Sequence, residues 1–243
     1  MIIEWARLTD QELTQVDRAL PVILPTGLIE AHGPALTLGL DNDTAEHFAR
    51  KVCEATGAIL LPNIPYGYAA EMAEYSGTVG VRLETFAAHL ADICISLCSH
   101  GFRKIIVLCG HGANTKAADL AFERVWERYP DLKPACWAWW TVAGVDLHHA
   151  DKGETEFALL TGSPVYMDRA RDYQFSKPWH LVRSRAAYQP ESGGINGYPT
   201  QARGEDSRAD YEKVLSTLIQ KVNQAKEDRA PVPLPPPPWP LLP

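Results

Sequence analysis

Short apolar runs alternate with longer amphipathic stretches over the first two thirds of the chain. In order they read "PVILPTG" (residues 21–27), "TAEHFARKVCEAT" (44–56), "AILLPNI" (58–64), "ETFAAHLADICISLCSHG" (84–101), "KIIVLCG" (104–110), "NTKAADLAFERVWERYP" (114–130) and "PACWAWW" (134–140). Brief apolar runs bounded by glycine and proline predict buried strands, and 3.6-type spacing predicts helices. The helix over 84–100 is the clearest: Leu83, Phe86, Leu90, Ile93, Cys94 and Leu97 fall on one face, and Gly101 supplies a C-terminal stop. Strand and helix in alternation predict a three-layer α/β/α sandwich with a mostly parallel sheet.

After residue 162 the periodicity loosens into loops rich in Gly, Pro, Ser and Arg, followed by a last helix in "ADYEKVLSTLIQKVNQAKED" (209–228). The segment "RAPVPLPPPPWPLLP" can be neither helix nor central strand, because each proline fixes φ and removes a donor. The chain is therefore read as one domain over residues 1–229 and a proline-rich tail over 230–243. That tail is a simple extension, or else a ligand for a partner domain or a neighbouring subunit.

Composition narrows the function classes. At 46% hydrophobic and 22% charged over 243 residues, the chain can bury a sizeable core as an ordinary globular protein. A formal charge of −7 argues against a nucleic-acid partner, which calls for a clustered basic face. The start "MIIEWARLTDQELTQ" lacks a basic n-region with an apolar h-region, and no apolar run reaches membrane-span length, so a cytoplasmic location and no membrane partner are expected. Five cysteines without a CxxC suggest neither a disulfide framework nor a zinc knuckle. Cys94 and Cys98, four apart on the apolar face, read as core residues.

In a parallel sheet the chemistry sits at the carboxyl ends of the strands. Three such loops carry candidates. In "LPTGLIEAHGPALTLGLDND", Glu30 and His32 leave one face of a locally extended segment. Asp43 with Glu46 reads as a capping box, which leaves Asp41 as the candidate ligand. In "CGHGAN", His111 lies between glycines at a strand end, ahead of a helix opened by Asn114. In "DLHHADKGETE", His148 and His149 precede Glu154, which either serves the site or complements the helix N-terminus. Imidazole and carboxylate together are ligands for zinc, manganese or iron(II), and one carboxylate can bridge two ions. A pair of divalent ions makes a water nucleophilic near neutral pH, and a remaining histidine can protonate a leaving group.

These pieces resemble the creatininase (creatinine amidohydrolase) family. "PTGLIEAHGPALTLGLDND" matches its E-x-H-G-x-H-L-P-x-x-x-D pattern, "CGHGAN" its N-G-H-G-G-N, and "HADKGETE" its H-x-x-x-x-E-T. "SGTVGV" and "SGGINGYPTQA" match further loops, all in order over residues 20–205. The resemblance implies an α/β/α sandwich, often a hexamer, with a two-metal site hydrolysing C–N bonds of a small-molecule amide. By matching position, Glu30, Asp41 and His111 hold one ion, while His32 and the bridging Asp41 hold the other. Glu154 completes the second set, because Ala113 stands where creatininase has a glutamate. His149 is the proton donor, with Glu154 beside it in the catalytic pair. Trp140, His148 and the loop glycines Gly193 and Gly194 are assigned to substrate binding, although Trp137, Trp139 and Trp140 also read as core strand residues. Ala35, Cys109, His148 and Met72 depart from the family pattern, which points away from creatinine as substrate. A relative without catalysis, used for binding or assembly, is the alternative reading, and a peptidase or ring hydrolase of the same family is a further one. A phosphoesterase fits the ligands but lacks basic surroundings beyond Arg203 and Arg208.

Overall fold

A computed structural model describes residues 2–175 and 189–228. Five strands form one sheet in the order β1-β3-β2-β4-β5, comprising β1 (Ile3–Glu4), β2 (Val22–Thr26), β3 (Ile59–Leu60), β4 (Lys104–Cys109) and β5 (Lys133–Ala138). Every pairing between them is parallel; in register, Val22 faces Ile59 on one side and Ile105 on the other. The helices are α1 (Asp10–Thr14), α2 (Leu40–Thr56), α3 (Leu83–Ser99), α4 (Asn114–Trp126), α5 (Lys152–Thr161) and α6 (Arg208–Glu227). The fold is the α/β/α sandwich expected from the alternation.

Alternating side-chain direction along each strand divides the core into two layers. Val22, Leu24, Ile105, Val107 and Cys109 pack with α3 and α4 residues such as Phe86, Leu90, Ala118 and Phe122. Ile23, Leu60, Ile106 and Leu108 pack on the opposite face with Phe48, Val52, Phe157 and Leu218. β2 and β4, covered on both faces, are buried along their whole length, which is why they read as unbroken apolar runs. Cys94 and Cys98 are both fully buried, and burial pushes each thiol up to about 12.

The chain leaves β2 through α2 to reach β3 on one side, then returns through α3 to place β4 on the other side of β2. Right-handed crossovers in opposite directions put α2 and α3 on opposite faces. The carboxyl ends of β2 and β4 therefore border the crevice where strand order reverses, the usual ligand position in such sheets.

The helix opening at residue 40 corrects one expectation. Asp43 and Glu46 form no capping box: Gly39 is the N-cap, and Asp41 and Asp43 both lie in the first turn. Leu40 is almost completely buried, and Gly39 O accepts from the N–H groups of Asn42 and Asp43. Winding begins one turn early because it sinks Leu40 into the core, and the same turn carries Asp41 inward. The proline-rich segment 230–243 lies outside the described residues.

Phe48 joins α2 to the sheet, stacked on Trp139 at 4.8 Å between centroids. Truncation of such a buried aromatic costs about 3–5 kcal/mol. Phe48→Ala should lose that much stability in urea unfolding, with a loss under 1 kcal/mol contradicting the packing described here.

Candidate metal centre

The three strand-end loops converge on one cluster of imidazoles and carboxylates. His111 Nδ1 lies 2.8 Å from Glu30 Oε2 and 3.3 Å from Asp41 Oδ2. On the other side of Asp41, its Oδ1 lies 3.3 Å from His32 Nε2, which is 3.8 Å from Glu154 Oε1. Asp41 thus turns one oxygen toward each group. Two sets, Glu30–Asp41–His111 and His32–Asp41–Glu154, each have ligand atoms within 4.8 Å of one another and could hold a metal ion. Glu30, His32 and His149 form a third such set.

Local structure explains each position. Beyond β2 the chain runs extended through Glu30–His32, with Glu30 N bonded to Leu38 O and His32 Nδ1 donating to Glu30 O at 3.0 Å. That bond leaves Nε2 of His32 facing the carboxylates. Asp41 is carried by the first turn of α2 and Glu154 by the first turn of α5, where helix dipoles favour negative charge. Gly110 lets β4 approach α2 closely, since a Cβ on it would lie 1.9 Å from Asp41 O.

The cluster is buried and undersatisfied. Both carboxylate oxygens of Glu30, Asp41 Oδ2, His32 Nε2 and His111 Nε2 are inaccessible, and beyond the ion-pair contacts within the cluster none has a hydrogen-bond partner. Leaving one such group unpaired costs roughly 1–3 kcal/mol, so several in one place call for a cation. Burial raises the Glu30 carboxyl above its ordinary value, partly offset by His111 and His149. For Asp41 burial also pushes upward, but His32 and His111 outweigh it and hold the group well below the carboxylate range. Burial opposes charge on His32 and His111, yet Glu154 and Asp41 raise the first well above its ordinary value, and Glu30 and Asp41 the second. Glu154 is lowered against burial by His32 and His149.

His149 stands against the same group. Its ring lies 4.4 Å from that of His32, and its Nε2 donates to Ala31 O at 2.9 Å, which fixes the tautomer. Its Nδ1 is 4.0 Å from Glu154 Oε2, an oxygen that accepts from Ala150 N. Trp140 is not a strand residue: β5 ends at Ala138, Trp139 enters the core, and the Trp140 ring reaches toward Gly112, beside His111. His148 is not brought to the cluster; it is exposed and 3.7 Å from Asp146 on the surface. Gly193 and Gly194 press on the ligand-bearing segment, with Gly33 N bonded to Gly193 O and a Cβ on Gly194 falling 2.5 Å from Ala31 O. Arg203 is occupied with the carbonyls of Thr200 and Ala202. Sequence pattern alone gives no role to the Ala31 carbonyl or to Asn42, and marks Gly110 only as a glycine beside His111.

A parallel α/β/α sheet with clustered imidazoles and carboxylates at its switch point defines the class: an α/β protein with a candidate metal site at its strand ends. The particular family follows from comparison: a creatininase (creatinine amidohydrolase) family model matches residues 6–222, and the chain belongs to that family. Membership places it among hydrolases of carbon–nitrogen bonds. It is 24% identical over 240 residues to the creatinine amidohydrolase of Pseudomonas putida, covering 86% of this chain and 90% of the relative. It is 25% identical over 228 residues to the mycofactocin precursor peptide peptidase of Mycolicibacterium smegmatis, covering 88% and 90%. A creatininase crystal structure superposes with a TM-score of 0.79 at 21% identity, covering 94% of this chain and 99% of the other. A mutant creatininase described as Zn-Zn type gives 0.78 at 20% identity, covering 95% and 100%. A manganese form gives 0.76 at 21%, again covering 95% and 100%.

Two outcomes follow from the geometry. Gly110→Ala should drive α2 from β4 and weaken Zn²⁺ binding at least 10-fold, a displacement readable by competition with a chromophoric chelator; unchanged affinity would contradict the close approach. A proton and an ion compete for the same imidazole nitrogen. Below the raised values of His32 and His111 that proton must leave, and above them the lone pair is available, so affinity should climb with pH. Calorimetric titration in buffers of different ionisation enthalpy should report protons released at pH 7; a buffer-independent heat would contradict this.

Proposed function

We propose that the protein is a metal-dependent amidohydrolase that cleaves a C–N bond, amide or cyclic amide, in a small molecule. The observation that carries this reading is Asp41, whose two oxygens face His32 and His111 separately. Glu30, Asp41 and His111 would hold one divalent ion, and His32, Asp41 and Glu154 the other, with zinc, manganese and iron(II) all suited to this donor set. Bound there, such ions polarise a carbonyl oxygen and make a water acidic enough to be a nucleophile near neutral pH.

The chain's own residues do the rest. His149 Nε2–H is held by Ala31 O, which orients the ring and leaves Nδ1 as the atom we assign to proton delivery. A proton taken up there passes to the departing nitrogen, converting it from an anion into a neutral leaving group. Glu154, pinned by Ala150 N, keeps negative charge beside that nitrogen and steadies the imidazolium. Trp140 walls the approach above Gly112 and limits water. Gly193 and Gly194 press on the segment that carries His32, at Gly33 and Ala31.

The molecule acted on is the finer question. The peptidase and creatinine amidohydrolase relatives match at similar identity. Met72 is buried against Ala31 and Tyr75, an apolar side chain packed behind the ligand-bearing segment. A single domain over residues 1–229, a homo-oligomeric state and a cytoplasmic location complete the proposal. It draws support from the family match over 6–222 and from the absence, among the described residues, of a helix fit to cross a membrane.

Wild-type protein should carry about two transition-metal ions per chain and hydrolyse a member of a panel of cyclic amides, formamides and short peptides. Asp41→Ala should lose metal and activity together, whereas His149→Ala should keep its metal and lose about 10²–10⁴ in kcat. Full metal content in Asp41→Ala, measured by elemental analysis, would falsify the shared-ligand reading. Retained turnover in His149→Ala would remove His149 from the mechanism.

A further inference from the structure

The turn that leads from β2 to Glu30 is gripped from two sides. Asn114 donates through Nδ2 to Gly27 O at 3.0 Å and to Thr26 Oγ1 at 3.3 Å, while its Oδ1 accepts from Tyr68 N at 2.9 Å. Asn42 donates through Nδ2 to Leu28 O at 2.9 Å, and its Oδ1 accepts from Asn63 Nδ2 at 2.8 Å. Carbonyl oxygens only accept and a peptide N–H only donates, so these partners fix the Asn114 amide both ways and the Nδ2 of Asn42.

Two consecutive carbonyls, Gly27 and Leu28, are thus each held by an asparagine from the start of a different helix. Asn42 is the neighbour of Asp41 in the first turn of α2. Asn114 opens α4, and its backbone N–H bonds His111 O at 3.2 Å. The fit is close: a Cβ on Gly27 would lie 2.4 Å from Asn42 Oδ1, and one on Gly67 would lie 2.3 Å from Asn114 Oδ1. Asn114 is completely buried.

We infer that Asn42 and Asn114 form a clamp that sets the register of Glu30 and His32 against Asp41 and His111. Both are positioning residues, since their amides are spent on Thr26, Gly27, Leu28, Tyr68 and Asn63. Asparagine suits the task because one short planar head supplies a donor and an acceptor together. Aspartate would set an anion against a carbonyl, and serine would not span both partners. The inference rests on the two-ion reading of the site, because the register matters only if the two sides must share ions.

Full-length wild type, Asn42→Ala, Asn114→Ala and the double variant would be titrated with Zn²⁺, and separately Mn²⁺, against a chromophoric chelator. Val125→Ala, buried in the same helix α4, serves as a destabilised control. Outer-shell partners typically contribute 10–100-fold to metal affinity. Each asparagine variant should weaken binding by about that factor at temperatures where circular dichroism shows it folded, and the double variant by less than the product, since both hold one turn. Asn42→Ala, at a partly exposed position, keeps the test open should Asn114→Ala fail to fold. Affinity no weaker than that of Val125→Ala would overturn the clamp. A wild type that binds no ion would overturn the site reading, and the clamp with it.

Discussion

Three carboxylates share a site that water scarcely reaches, and the rest of the site's architecture answers to that. Glu30 and Asp41 are almost fully buried, and Glu154 retains little exposure. Buried carboxylates must be protonated, paired or bound to a cation. Three imidazoles stand against them, but their contacts leave several buried oxygens and nitrogens unpartnered. Imidazolium alone answers the charge without answering the geometry. Divalent ions accept several lone pairs at once, so the arrangement makes sense as two coordination sets with Asp41 between them.

The fold supplies the negative charge at low cost by where it starts its helices. Asp41 sits in the first turn of α2 and Glu154 in the first turn of α5, each near a positive helix end. α4 begins just beyond His111, so its N-terminus opens from the same crevice. This follows from strand order: with β2 and β4 adjacent and their crossover helices on opposite faces, the segments after both strands meet. Gly110 then allows the approach of backbone to backbone that puts Asp41 between the loops.

The alternation of apolar and amphipathic runs made most of the fold legible, because β2 and β4 are covered on both faces and α2, α3 and α4 on one. The candidates Glu30, His32, Asp41, His111, His149 and Glu154 stood out because charged and imidazole groups in glycine-rich strand ends have little structural use. What stayed hidden was set by long-range packing. The two-residue β1 has too little pattern to read and exists only by pairing with β3. Asp43 and Glu46 carry the local spacing of a capping box, but burial of Leu40 shifted the helix start and overrode it. His148 and His149 are neighbours in sequence, yet the backbone turns one to solvent and the other onto Ala31 O. Asn42 looked like any helix-start polar residue, since its partner carbonyl is 14 residues away.

Under the proposed two-ion reading, the second ligand set would be completed from a different loop than in creatininase. Creatininase resemblance places a glutamate at position 113; here that side chain is a methyl group at the N-cap of α4. Glu154 reaches the His32 side of Asp41 from α5, 3.8 Å from His32 Nε2. Its delivery requires a tight turn after His149. Ala150 adopts a left-handed conformation, φ 49°, the only described non-glycine residue to do so. The turn presents Ala150 N–H to Glu154 Oε2 and buries the Ala150 methyl completely. Such a conformation costs of order 1 kcal/mol and persists only where its surroundings impose it. Here the surroundings are the Asp151 carboxylate, which accepts from Tyr198 N, and Asn196 N, which bonds His149 O. The late loop therefore holds the strained turn in place, and the turn sets His149 against His32 with Glu154 beside it.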